Sequence, residues 1–149
     1  MFVGTYYNKL EAKGRLTLPK AFRQDTTDWI LTSGLDGCLF IFREQEFAQE
    51  AKKLEQLSYY QADHRALIRH LAGNASQQSL DQLGRLLLPE ALKEYAGISK
   101  NIVIVGSLSR IEVWDLDRYH QLLDKLNSSV EASAEKVVFP SLSSQEKNS

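Results

Sequence analysis

The chain has 149 residues, 43% apolar and 25% charged, with a net charge of −1 and a pI of about 6.3. That length buries about 70% of the unfolded surface without staples, and a single cysteine, Cys38, excludes an internal disulfide and suits a reducing cytoplasm. The near-neutral balance gives no global reason to expect nucleic acid, no apolar stretch reaches the ~20 residues of a membrane helix, and the opening Met1-Phe2-Val3-Gly4-Thr5-Tyr6-Tyr7-Asn8-Lys9 lacks the basic-then-apolar order of a signal peptide.

The first predicted element is a hairpin. Asn8 to Leu10 leads into a turn at Gly14, and the returning strand alternates, with Leu16 and Leu18 on one side and Arg15 and Thr17 on the other. Pro19 suits the first turn of a short helix, where its missing N–H costs nothing. A second hairpin joins Trp29–Ser33 to Cys38–Phe42 across Asp36-Gly37, a strong tight-turn pair. From about Glu44 a helix places Phe47, Ala51, Leu54 and Leu57 on one face, and Gln61 to Leu71 reads as another, stopped by Gly73.

The pattern then starts again. Leu80 to Leu92 lies over Leu10 to Phe22 at a constant offset of 70, with seven of thirteen pairs identical, including Gly84, Arg85, Leu86, Leu88 and Pro89. Tyr95-Ala96-Gly97 reads as a helix end with a glycine cap. An offset of 72 then sets Gly34 on Gly106, Phe42 on Trp114, Phe47 on Tyr119 and Lys53-Leu54 on Lys125-Leu126. The second copy supplies a hairpin from Asn101–Val105 to Ile111–Trp114, then a helix from Asp115 with Leu116, Tyr119, Leu122, Leu123 and Leu126 on one face. The helix at 61–71 has no clear counterpart after the second copy. Residues 127–149, with seven serines in 23 positions, read as disordered, except that Val137-Val138-Phe139-Pro140 could dock as a strand.

The expected organisation is a first repeat at 5–47, a helical connector at 48–76, a second repeat at 77–120, and a helix end with tail at 121–149. Each repeat of about 45 residues is near the limit of independent stability. The expected fold is therefore mainly β with α (α+β), the two repeats interlocking into one pseudo-two-fold barrel.

Catalytic chemistry finds little support. His64 and His70 lie on roughly opposite faces of one helix, and His120 stands elsewhere. Metal, phosphate-loop, dinucleotide and nucleophile-elbow motifs are absent. No metal or cofactor is expected, nor a small-molecule substrate, and an enzyme using Asp63, His64 or Cys38 would need a pocket around them. Cys38, among Leu39, Phe40, Ile41 and Phe42, reads as a small core residue.

One motif carries possible binding chemistry: acid-x-x-x-Arg, as Glu11 to Arg15 and Asp81 to Arg85, each followed by Leu-x-Leu-Pro. Glu11 and Asp81, with Gly14 and Gly84, would shape the turns. The arginines leave opposite the leucines, and a guanidinium suits phosphate and guanine edges. A Glu11–Arg15 or Asp81–Arg85 pair that only stabilises its hairpin accounts for the residues equally well. Residues 1–23, carrying Lys9, Lys13, Arg15, Lys20 and Arg23 against Glu11, hold a net charge of +4, which fits a basic face or a solvated edge.

Met1-Phe2-x-Gly4, Glu11-Ala12-Lys13-Gly14-Arg15, Gly34-Leu35-Asp36-Gly37-Cys38-Leu39, Asp81-x-x-Gly84-Arg85 and Glu112-Val113-Trp114 together resemble the MraZ family of bacterial transcription regulators over roughly residues 1–126. The resemblance implies two AbrB-like swapped-hairpin units and a homo-oligomeric ring of about eight subunits. It also implies nucleoid association and binding of double-stranded DNA at short G-rich repeats upstream of the division and cell-wall gene cluster, including the protein's own gene. Arg15 and Arg85 fall on the family motif's arginines, and Lys13 on its basic turn position. Glu11 departs from the usual Asp and Leu83 replaces Lys13 in the second repeat, so the first repeat is expected to contribute more, with Arg85 secondary and Lys9 adding charge. The alternative is an antitoxin-like protein-interaction module without specific DNA binding.

Overall fold

The computed structural model describes residues 1–23 and 26–140. They fall into two compact units, one ending at Tyr119 and the other comprising the described residues from His120 onward. In the first unit the strands are β1 (Thr5–Lys9), β2 (Arg15–Thr17), β3 (Asp28–Ser33), β4 (Leu39–Arg43), β5 (Ser76–Ser79), β6 (Arg85–Leu87), β7 (Asn101–Ser107) and β8 (Arg110–Asp115). Its helices are α1 (Glu44–Glu55), α2 (Ala62–Ala72) and α3 (Glu90–Tyr95), and α4 (Leu116–Asn127) begins in it. No helix among the described residues is long and apolar enough to cross a membrane.

Every strand pair is antiparallel. One sheet runs β1-β7-β8-β4-β3-β5, and a separate ribbon pairs β2 with β6. Exchanging the repeats reverses the first order and leaves the second unchanged, so the topology has a pseudo-two-fold axis between β4 and β8. The expected first hairpin is not a self-contained pair. β1 joins β7 and β2 joins β6, both in the other repeat, and β5 of the second repeat joins β3 of the first. Alternation specifies which face a strand buries, and either partner satisfies it.

The register corrects the alignment. Tyr6 opposite Ile104 corresponds to Ser76 opposite Leu31, which requires an offset of 73 between β3 and β7. Gly34 therefore matches Ser107 rather than Gly106. The extra residues lie in α3, which continues to Tyr95, whereas its first-repeat equivalent is a single 3-10 turn at Lys20–Phe22. The offset returns to 72 at β4 and β8, where Leu39 faces Val113 and Ile41 faces Ile111. The Asp36-Gly37 turn, with both residues at positive φ, is one residue longer than the Leu108-Ser109 turn. Pro19 and Pro89 each sit one place earlier than expected, before the first helical residue, with ψ of 140° and 141°. Their carbonyls open the turns, accepting from Phe22 N–H at 2.9 Å and Leu92 N–H at 3.0 Å.

The core inside the sheet and ribbon repeats the symmetry. Leu16 and Leu86, Leu18 and Leu88, Phe22 and Leu92, Leu31 and Ile104, Leu39 and Ile111, and Ile41 and Val113 are all buried in one cluster. At the end of β3, the Thr32 and Ser33 hydroxyls donate to the carbonyls of Leu71 and His70 at 2.7 and 2.6 Å, satisfying the last turn of α2. At the equivalent end of β7 the N-terminus docks instead. Phe2 exchanges main-chain hydrogen bonds of 2.8 and 2.9 Å with Leu108, and its ring is buried against Phe22 and Trp29.

In the second unit, α5 (Val130–Lys136) replaces the expected disorder, and it follows α4 in the order in which α2 follows α1. Its Val-Glu-Ala-Ser-Ala-Glu-Lys sequence is rich in helix formers that the surrounding serines obscure. Val137 to Pro140 form no strand, and Val138 and Phe139 are 90% and 83% exposed. A short segment ending in proline offers few ladder donors. The part of the expected tail at 141–149 lies outside the described residues.

A Cβ at Gly106 would stand 2.6 Å from the Phe2 carbonyl carbon and closer still to Val3 N. Gly106→Ala is expected to cost about 1–3 kcal/mol in urea unfolding, and the penalty should vanish in a chain lacking residues 1–3.

Candidate nucleic-acid interface

The β2–β6 ribbon sets Arg15 opposite Leu87, Leu16 opposite Leu86 and Thr17 opposite Arg85. Directly opposed residues share a face. Leu16 and Leu86 go inward, and Arg15, Thr17, Arg85 and Leu87 line the outer face. The loops lock each other through the main chain. Leu18 N–H donates to the Gly84 carbonyl at 3.1 Å and Leu88 N–H to the Gly14 carbonyl at 2.9 Å. Both arginines therefore emerge on one surface from a scaffold fixed by reciprocal bonds.

The two turns close alike but are held differently. Glu11 N–H donates to Arg15 O at 2.8 Å and Asp81 N–H to Arg85 O at 3.0 Å. In the second turn Asp81 Oδ1 accepts from Leu83 N–H at 2.9 Å and Arg85 N–H at 2.8 Å, while Oδ2 accepts from Arg85 Nε at 2.7 Å. Desolvation pushes the Asp81 carboxyl up, but the hydrogen bonds from the Arg85 N–H, the Arg85 side chain and the Leu83 N–H together outweigh it and hold the pKa below the usual carboxylate value. The turn network around Asp81 is thus intact at neutral pH and loosens as acid protonates that group.

Glu11 does not reproduce this. Its Oε2 accepts from the Thr17 hydroxyl, and Oε1 lies 3.8 Å from Arg85 Nη1. The first turn instead holds Lys13 at φ 64°, ahead of Gly14 at φ 75°, and a left-handed lysine costs roughly 1 kcal/mol. Of the two pairs expected within a turn, the Asp81–Arg85 pair forms, whereas Glu11 pairs with Arg85 across the ribbon.

The guanidinium environments differ accordingly. Arg85 lies between two carboxylates, with its side chain 26% exposed. Arg15 is half-buried, and its guanidinium has no hydrogen bond or ion pair among the described residues. Lys13 is exposed at the loop tip, while Lys9 ends β1 opposite Asn101, off the ribbon. Arg23 belongs beside the site although the motif does not include it. Its Nε donates to Leu18 O at 2.9 Å and its guanidinium lies over Gly84, where a Cβ would fall 2.8 Å from Nε and closer to Cζ. Only its sequence position in the basic N-terminal stretch hinted at Arg23, because Gly84 is distant along the chain.

The residues weighed for catalysis are occupied structurally. His64 Nδ1 accepts from Ser58 N–H at 2.9 Å, and His70 Nε2 lies 2.6 Å from the Gly34 carbonyl, which also accepts from Tyr95 OH at 2.8 Å. Among the described residues no group of three His, Cys, Asp or Glu could hold a metal. Cys38 is buried, and desolvation, followed by the charges of Glu112 and Asp36, pushes its thiol far above the ordinary range. A thiol reagent at pH 8 should label Cys38 only after denaturation.

Fold and face define a class, namely a duplicated α+β protein whose repeats exchange strands and present paired arginine loops on a shared ribbon. A family model described as "MraZ protein, putative antitoxin-like" matches residues 1–70 and again 71–139. Curated relatives named "Transcriptional regulator MraZ" include one from Moorella thermoacetica, 39% identical over 93% of this chain and 97% of its own length. Those from Desulforamulus reducens and Acetivibrio thermocellus are each 38% identical over 92% of this chain, and over 94% and 96% of their own lengths. The chain belongs to the MraZ family.

Glu11→Asp should give the first turn the carboxylate network of the second. Amide exchange at Lys13 and Arg15 is expected to slow, with a stability gain of about 0.5–1.5 kcal/mol; unchanged exchange would refute the capping account.

Proposed function

We propose that the chain is a transcriptional regulator that binds duplex DNA through the outer face of its ribbon. The observation that carries this reading is the Arg15 guanidinium, presented beside exposed Lys13 from a rigid main-chain-locked scaffold and without a partner among the described residues. Arg15 and Lys13 make the principal contacts, Arg85 is secondary because two carboxylates already engage it, and Lys9 contributes charge from the end of β1. A guanidinium on an antiparallel ribbon suits a G edge in the major groove, which admits such a ribbon. The names of the relatives support a regulatory role.

The finer picture follows the family resemblance. The exchanged repeats, at 5–47 and 77–120 around a connector at 48–76, form a pseudo-two-fold swapped-hairpin barrel. Copies assemble into a ring that sits on the nucleoid in the cytoplasm. Short G-rich elements upstream of the division and cell-wall genes, including its own, are the targets. One ribbon offers few contacts, so a ring spanning repeated elements gains avidity, by about 10²–10⁴. A net charge of −1 is then no obstacle, because a local basic face repeated around the ring is sufficient. A second reading, a protein-binding antitoxin-like module, is favoured by the family description alone.

The test is fluorescence anisotropy with duplex DNA from upstream of its own gene against a scrambled duplex, at about 50 and 200 mM salt. Salt-sensitive, sequence-selective binding is expected, with Arg15→Ala weakening it by about tenfold or more. Equal weak binding to both duplexes, unaffected by Arg15→Ala, would remove the assignment and favour the protein-binding reading.

A further inference from the structure

We infer that Glu11 sets the affinity of this face by restraining Arg85, an inference that rests on the ribbon being the DNA-binding surface. The Glu11 carboxylate belongs to the first repeat, and the arginine it restrains belongs to the second. Thr17, which donates to Glu11 Oε2, stands directly opposite Arg85 in the ribbon, so it tethers the carboxylate where Oε1 faces Arg85 Nη1 at 3.8 Å. Asp81 takes the Nε of the same guanidinium at 2.7 Å.

A guanidinium has five N–H donors arranged around a planar fork. Asp81 uses the Nε side to fix its direction, and Glu11 covers the Nη1 end that a phosphate or guanine edge would use. A phosphate approaching Arg85 Nη1 meets a carboxylate of its own sign 3.8 Å away, whereas no such group engages the Arg15 guanidinium among the described residues. The restraint is weak enough to yield. The Glu11, Asp81 and Arg85 side chains are 43%, 35% and 26% exposed, and exposed ion pairs are readily exchanged for other partners. The extra methylene of Glu11 is what permits the crossing, since Asp81, one methylene shorter, bonds within its own turn.

The experiment measures binding of the full chain to the upstream duplex by anisotropy across the same salt range. The proteins are the wild type, Glu11→Gln, Thr17→Val, Arg85→Ala and the Glu11→Gln/Arg85→Ala double variant, with Arg15→Ala reporting on the face itself. Thermal unfolding confirms that each is folded. Glu11→Gln is expected to bind about 2–5-fold tighter, with the slope of log K against log salt steeper by about 0.9, the value of one added phosphate contact. Thr17→Val, which removes the tether and leaves the charge, should shift affinity in the same direction. The Glu11→Gln gain should not survive when Arg85 is Ala.

An equal gain from Glu11→Gln in the Arg85→Ala background would overturn the inference, because simple repulsion between Glu11 and DNA would then account for it. So would an unchanged or weaker Glu11→Gln alongside loss of binding in Arg15→Ala, which leaves the DNA-binding reading standing. Binding insensitive to Arg15→Ala would instead overturn the reading of the face, and the inference with it.

Discussion

The ribbon joining Arg15–Thr17 to Arg85–Leu87 is the constraint on which the rest depends. Its inward leucines, Leu16 and Leu86, are 0% and 1% exposed and lie at the heart of the shared core. Its flanking bonds, Leu18 N–H to Gly84 O and Leu88 N–H to Gly14 O, tie each repeat's loop to the other's strand. Neither repeat can keep its loop, its outward arginine or its half of the core without the other. A unit of about 45 residues buries too little surface to compensate for its ordering entropy. Intertwining solves this by making every long-range strand pair except β3–β4 and β7–β8 an inter-repeat pair.

Duplication and strand positions were legible because they rest on local chemistry. Leucine alternation, the Asp36-Gly37 turn and the amphipathic face of α1 recur wherever the backbone requires them. Partner choice was not legible. A strand with one apolar face can pair with its neighbour or with the other repeat's equivalent and bury the same side, so the expected hairpin became an exchange. The alignment slipped by one at β3 and β7 for a related reason. Gly34 and Gly106 are both glycines next to turns, but Gly34 makes room for Phe40 and the Cys38 carbonyl, whereas Gly106 lies beneath the Phe2–Val3 backbone. A shared residue type masked two unrelated steric demands.

The outward direction of Arg15 was readable from its alternation with Leu16 and Leu18, and the structure agrees. What each guanidinium meets was not readable, because Arg85 is engaged by a residue 74 positions earlier and Arg23 reaches Gly84 across the repeat boundary. The Glu11 departure could be seen in sequence, but its consequence depended on Thr17 facing Arg85, a fact of inter-repeat register.

Pseudo-symmetry separates the part of the molecule that must stay alike from the part free to differ. The bonds uniting the loops are main chain to main chain, from Leu18 and Leu88 to Gly84 and Gly14, and depend on side chains only through the positive φ of the glycines and the buried leucines. The outward positions carry no such duty, and there the repeats diverge: Lys13 against Leu83, Thr17 against Leu87, Glu11 against Asp81. Each change moves charge, hydrogen-bonding capacity or side-chain reach without disturbing a core residue. Leu83 and Leu87, 65% and 48% exposed, make the second loop apolar where the first is basic and polar. A symmetric scaffold thus presents two unlike half-faces, and the one ion pair joining them among the described residues, Glu11 to Arg85, couples the chemistry of the halves.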